Sequence, residues 1–104
     1  MKETTQDIRF GGIKRLYGHQ QFDWLQQAHF CVIGIGGVGS WAAEALARTG
    51  VGQLTLIDLD DICATNVNRQ IHALTGTVGE AKVEAMKTRC ELINPDIKIN
   101  VIDD

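Results

Sequence analysis

A chain of 104 residues with 44% hydrophobic and 22% charged residues has the make-up of one ordinary globular domain or part of one, which excludes a disordered polymer. Its net charge of -3 offers no basic face to a nucleic acid, and no stretch approaches the run of about eighteen apolar residues that a membrane span needs. The first ten residues are polar and of mixed charge, unlike a secretory signal, so the expected location is the cytoplasm.

Residues 1–28 form an arm in which Phe10, Ile13, Leu16 and Tyr17, then Phe22, Trp24, Leu25 and Ala28, are spaced for two short helices broken around Gly18. Its cations Arg9, Lys14 and Arg15 suit a solvated surface. His29 to Ile33 reads as a first strand and leads into Gly34-Ile35-Gly36-Gly37-Val38-Gly39. The helix that follows, Ser40 to Thr49, places Val38, Trp41, Ala42, Ala45, Leu46 and Thr49 on one stripe and ends at Gly50 and Gly52. Leu54 to Ile57 is a second strand, apolar enough to be covered on both faces, and closes on Asp58. A polar segment from Asp60 to Asn68 leads to Arg69-Gln70-Ile71-His72. A second helix starts near Thr77, carries Val83, Met86, Cys90 and Ile93 inward and stops at Pro95. Ile97, Ile99 and Val101 alternate with polar residues as a third strand.

The order strand, helix, strand, helix, strand predicts an α/β fold: residues 29–104 as one half of a Rossmann-like doubly wound parallel sheet, preceded by the helical arm. A full sheet of this class continues past the third strand, so the segment is expected to be a fragment of a longer chain. Cys31, Cys63 and Cys90 are odd in number, far apart and without a C-x-x-C pair. They predict buried free thiols and no metal site.

Chemistry concentrates around the glycine turn. A strand feeding a helix through G-x-G-x-x-G presents backbone N–H groups and the positive helix end to a phosphate, and side chains at Gly34, Gly36, Gly37 and Gly39 would obstruct it. The bland alternative is a tight connection with no ligand. Asp58 ends the second strand, where this fold places the acid that binds ribose hydroxyls. Asp60 and Asp61 could hold hydroxyls or magnesium, or form a solvated loop. Asn66, Arg69 and Gln70 would share a face if helical and could point together at phosphates. Lys82 adds a cation, at a place equally typical of a surface lysine. Hydride transfer needs none of these cations, whereas attack on a nucleotide α-phosphate does, because charge on the phosphoryl oxygens must be met as pyrophosphate leaves. His19, His29 and His72 have no mutual spacing that suggests ligands and read as structural.

With Gly34-Ile35-Gly36-Gly37-Val38-Gly39, Asp58-Leu59-Asp60, Asn66-Val67-Asn68-Arg69-Gln70 and Lys82 in register, the sequence resembles the E1-like superfamily of adenylating enzymes. Within it, Arg9-Phe10-Gly11-Gly12, Arg15-Leu16-Tyr17-Gly18, the run from Gly39 to Gly50 and Asn68 to Leu74 are similar to the tRNA threonylcarbamoyladenosine dehydratase family. That resemblance implies ATP and Mg2+ as cofactors, activation of a threonylcarbamoyl carboxylate on tRNA, and an intracellular homodimer. It assigns Gly34, Gly36, Gly37 and Gly39 to the phosphate turn, Asp58 to ribose with Asp60 as helper, and Asn66, Arg69 and Lys82 to the phosphates. It also implies an arm arginine reaching across the dimer; in this chain Gly12 stands near the position where some relatives have it, which leaves Arg9 or Arg15 as the candidate. The magnesium aspartate and the tRNA contacts are expected outside this segment. The alternatives are an activator of a ubiquitin-like sulfur-carrier protein, an NAD-binding oxidoreductase and a non-catalytic nucleotide-binding module.

Overall fold

The computed structural model describes residues 5–104, with side chains from Ile8 onward; the first four residues of the expected arm lie outside the described residues. The arm is two helices, α1 (Thr5–Tyr17) and α2 (His19–Gln27), joined at Gly18. α1 begins earlier than the sequence predicts and runs through Gly11 and Gly12, each of which costs a helix roughly 1 kcal/mol relative to alanine. Tertiary packing offsets that cost. Phe10 and Phe22 are buried with ring centroids 6.2 Å apart. Both press on Gly50, where an added Cβ would lie 2.9 Å from Phe22.

Three strands, β1 (His29–Ile33), β2 (Gln53–Ile57) and β3 (Lys98–Ile102), form a parallel sheet in the order β1-β2-β3. α3 (Gly39–Thr49) and α4 (Lys82–Ile93) are the crossovers. Right-handed crossovers advancing in one direction put both helices on one face. That face is the core. The register aligns Phe30 with Leu54 and Ile99, and Val32 with Leu56 and Val101, beneath Ala43, Ala47, Val83, Met86 and Cys90.

The expectation that β2 is covered on both faces is therefore corrected. Leu54 and Leu56 are buried, but the alternate residues are only partly covered, and Ile33 beside Ile57 is 78% exposed. The inward stripe of α3 is also displaced from its expected position. Ser40, Ala43, Glu44 and Ala47 are buried, whereas Val38 and Trp41 are exposed. Small residues bring this helix close to the sheet: a Cβ on Gly39 would sit 3.4 Å from Val32. Glu44 ties the two helices together by accepting hydrogen bonds from Arg48 and Arg89.

α4 carries Val83, Met86 and Cys90 inward as expected but starts at Lys82 rather than near Thr77. Residues 72–81 instead form turns. The Thr77 hydroxyl donates to the His72 carbonyl at 2.6 Å and accepts from the Leu74 N–H, and Gly79 at φ 95° breaks any helical run. Among the described residues no helix is long and apolar enough to cross a membrane.

The expectation of three buried thiols is corrected as well. Cys90 is buried, and burial, with Glu44 nearby, pushes its thiol up to about 12, but Cys31 on the open sheet face and Cys63 within the polar segment are exposed. Thiolate access controls alkylation. Native chain treated with iodoacetamide at pH 8 should gain label rapidly at Cys31 and Cys63 and at Cys90 only after unfolding. Peptide mass spectrometry checks this; equal rates at all three would contradict the packing.

Candidate functional site

The turn after β1 is held peptide by peptide. Gly34 takes φ 88°, a conformation that L side chains rarely adopt, and its N–H donates to the Ile57 carbonyl at 2.8 Å. The Ile35 N–H then donates to Asp58 Oδ2 at 2.7 Å. Asp58 Oδ1 accepts the Asp60 N–H at 2.8 Å, so one carboxylate at the end of β2 organises two loops. Burial raises the Asp58 pKa, but these backbone donors and the Lys82 charge outweigh it and hold the carboxyl below its ordinary value.

The four glycines do different things. A Cβ on Gly39 would meet the Gly34 carbonyl oxygen at 1.7 Å, so Gly39 is needed for backbone crossing backbone. Gly34 is needed for its dihedral angle. At Gly36 and Gly37 an added Cβ would meet nothing closer than Gln70 Nε2 at 3.9 Å and Arg69 Cγ at 3.8 Å. The protein leaves that space open. The N–H groups of Gly36 and Gly37 have no acceptor among the described residues.

A second segment closes one side of this opening. Asn66 lies in a short 3-10 helix, Ala64–Asn68, and its buried Oδ1 accepts the Cys63 N–H at 2.8 Å. The helical face expected to join Asn66, Arg69 and Gln70 does not form, because the 3-10 turn ends before Arg69. Arg69 turns outward with its stem along Gly37, and its guanidinium donates to the Thr65 carbonyl and to Asn68 Oδ1. Gln70 turns inward to 6% exposure, and its Oε1 is buried without a partner. This buried oxygen beside the open turn is an acceptor that a water or a ligand donor could satisfy.

Lys82 is 7% exposed, which removes the surface-lysine reading. It makes no ion pair within 4.0 Å among the described residues, although its charge acts on both Asp58 and His72. Asp60 is exposed at the rim and its carbonyl accepts the Lys82 N–H at 3.0 Å. Arg9 lies far from the turn, beside Arg48, Leu92 and Ile93 at the other end of α3, roughly 16 Å away by helix rise. Arg15 is exposed on α1.

Three residues absent from the expected site hold the two segments together. Ser40, fully buried, donates from Oγ to the Gly36 carbonyl and accepts the Ile71 N–H at 3.3 Å. Trp41 Nε1 donates to the Arg69 carbonyl at 2.9 Å, and His72 Nε2 bonds the Ile35 carbonyl at 2.8 Å. A serine opening a helix beside glycines was a legible signal for the first; the other two are long-range contacts with no local pattern. His29 bonds Thr55 on the open sheet face and His19 is exposed on the arm, away from the turn.

A cavity of about 460 Å³ is lined by Gln26, Gly52, Gln53, Asn94 and Lys98 at the opposite end of the sheet and contains none of this chemistry. Ligands of open α/β sheets bind beyond the carboxyl ends of the strands, where the glycine turn, Asp58 and Lys82 converge. Fold and site together define the nucleotide-binding class of doubly wound α/β domains. More narrowly, the chain belongs to the ThiF family, whose sequence pattern matches residues 12–104.

It is 62% identical over 96 residues to a tRNA threonylcarbamoyladenosine dehydratase of Haemophilus influenzae, covering 92% of this chain and 37% of the relative. The crystal structure of the Escherichia coli tRNA N6-threonylcarbamoyladenosine dehydratase in complex with ATP superposes with a TM-score of 0.96 at 57% identity, covering all of this chain and 43% of that one. A molybdopterin-synthase adenylyltransferase of Salmonella typhimurium is 42% identical over 79 residues, 76% of this chain and 32% of the relative. The chain thus spans well under half the length of these relatives.

The two kinds of glycine separate experimentally. Gly39→Ala should destabilise the fold by about 3 kcal/mol or more in urea titrations, whereas Gly37→Ala should stay within about 1 kcal/mol of the parent. The Asp58 carboxylate, depressed in the fold, stabilises above its unfolded pKa near 3.8, and that contribution disappears as pH falls through the folded value. The stability gap between parent and Asp58→Asn should therefore be largest near neutrality and close in acid. A gap independent of pH would show that Asp58 does not act through its charge.

Proposed function

We propose that this chain is the ATP-binding portion of an E1-like enzyme that activates a carboxylate, and that the whole protein dehydrates threonylcarbamoyladenosine in tRNA to a cyclic product. The observation that carries the reading is the convergence on one open turn of the unpartnered Gly36 and Gly37 N–H groups, the Arg69 stem and the buried, unpaired Lys82. A triphosphate supplies the negative charge this arrangement lacks. The dehydratase relatives, at 62% identity against 42% for the sulfur-carrier type of activator, favour tRNA as substrate.

In this reading the Gly36 and Gly37 N–H groups donate to phosphate oxygens, and the first turn of α3 adds its positive end. Arg69 and Lys82 meet the charge that grows on the α-phosphate and on departing pyrophosphate. Asn66, whose Oδ1 is held by Cys63, offers its Nδ2 to the same anion. Asp58 already accepts two backbone donors and keeps further lone pairs for a ribose hydroxyl, with Asp60 as helper. Among the described residues no three acidic, histidine or cysteine side chains lie together as a metal site; Mg2+, held by acids outside this segment, would offset negative charge on the phosphoryl oxygens. The net charge of -3 likewise leaves tRNA contacts to other regions. A cytoplasmic homodimer, with an arm arginine contributed across it, completes the proposal.

Calorimetry on the full-length protein should give tighter binding of ATP with Mg2+ than of NAD; the reverse order would remove the adenylation reading. Arg69→Ala should lower the rate of pyrophosphate release about a hundredfold while weakening ATP binding much less, because its charge is needed most in the transition state. Asp58→Ala should mainly raise the KM for ATP. Pyrophosphate release that requires threonylcarbamoylated tRNA supports the substrate assignment, and release that requires a sulfur-carrier protein instead overturns it.

A further inference from the structure

His72 is 2% exposed, touches the glycine turn directly and has no part in the scheme above. We propose that His72 is a positioning residue which, by holding the Ile35 carbonyl, aims the Gly36 N–H at a nucleotide phosphate; this rests on the assignment of the turn to ATP.

The geometry follows from one bond and one rule. A carbonyl oxygen can only accept, so the 2.8 Å contact fixes the hydrogen on His72 Nε2 and leaves Nδ1 as a bare lone pair. Nδ1 is buried and has no partner. Every peptide bond described is trans, and in a trans peptide the C=O and the following N–H point in opposite directions. With its carbonyl drawn to His72, the Ile35–Gly36 peptide turns the Gly36 N–H to the opposite side. There it finds no acceptor among the described residues.

The flanking peptides are fixed in the same way. Asp58 holds the Ile35 N–H at 2.7 Å, and the Gly34 carbonyl lies where only a glycine at position 39 can pass. Ser40 holds the Gly36 carbonyl through both its N–H, at 3.0 Å, and its hydroxyl, which turns the Gly37 N–H outward. Three successive peptides are thus oriented by Asp58, His72 and Ser40. Donors fixed before the ligand arrives need no reorganisation as charge develops on it.

The surroundings keep the imidazole neutral. Burial disfavours its charged form most, the hydrogen bond to Ile35 opposes that, Lys82 at the start of α4 adds to it, and Asp58 at the end of β2 opposes it. The net effect holds His72 below its ordinary value. A proton on Nδ1 would have no acceptor.

Long-range 1H–15N spectra of the chain should show His72 as the Nε2–H tautomer, titrating below 6.5. His72→Gln, whose amide can return a donor to the Ile35 carbonyl, should keep ATP affinity within about threefold. His72→Leu, of similar bulk without a donor, should lose about tenfold, or 1.4 kcal/mol, and the Gly36 amide should no longer shift on adding ATP. An Nδ1–H tautomer in the parent, or a folded His72→Leu that binds ATP as the parent does, overturns the positioning role and leaves the nucleotide reading standing. A parent chain whose Gly36 amide does not respond to ATP overturns both. The tautomer is read on the parent chain, so it decides even if His72→Leu fails to fold.

Discussion

The hydrogen bond from the Ile35 N–H to the Asp58 carboxylate, 2.7 Å long, is the contact on which the site depends. A charged acceptor makes it stronger than a neutral pair, and it carries the link between β1 and β2 one step beyond their last paired residues, Ile33 and Ile57, into the loops that follow. With Ile35 fixed, Gly34 can turn at positive φ and α3 can start against the Gly34 carbonyl. The carboxylate also holds Asp60, whose carbonyl in turn accepts the N–H that opens α4. One side chain therefore sets the starting points of both crossover helices.

Against this order stands one deliberate-looking imbalance. Lys82 is a cation at the N-terminus of a helix, where the dipole is unfavourable, and it is buried without an ion pair within 4.0 Å among the described residues. The Gln70 oxygen nearby is orphaned. Groups left so in a folded chain destabilise it unless a ligand compensates, and a polyphosphate beside a cation and free N–H donors would do so. Glu44, by contrast, is buried with two arginines and has no comparable deficit.

The strands were legible because each reports its own burial. Alternation placed β3, and an apolar run before a glycine turn placed β1 to the residue. The sequence misled where residue size was taken for burial. Trp41 and Val38 looked like core, but both are exposed, and the small residues Ser40, Ala43 and Ala47 are buried where α3 approaches the sheet. The start of α4 was misplaced because Thr77 and Gly79 form turns whose hydrogen bonds reach back to His72 and Leu74. Of the site, glycine spacing and the strand-end acid were readable as a pattern. That Gly39 serves the backbone while Gly36 and Gly37 leave an opening was not, since all four glycines look alike in sequence. His72 had no signal, because its partner lies 37 positions away.

That separation has a consequence for how the chain comes into being. Strand order follows chain order, so each crossover can close in turn as synthesis proceeds, although parallel pairing across a crossover is itself slow because loop closure must precede it. The turn does not share that convenience. Its residues emerge first, yet the groups that shape it arrive 23 and 37 positions later, as Asp58 and His72. A nascent β1–α3 unit at the ribosome exit therefore has the glycines without the orientation until the segment through His72 has been added. Any ligand that binds only the completed turn stabilises it by mass action on the folded form.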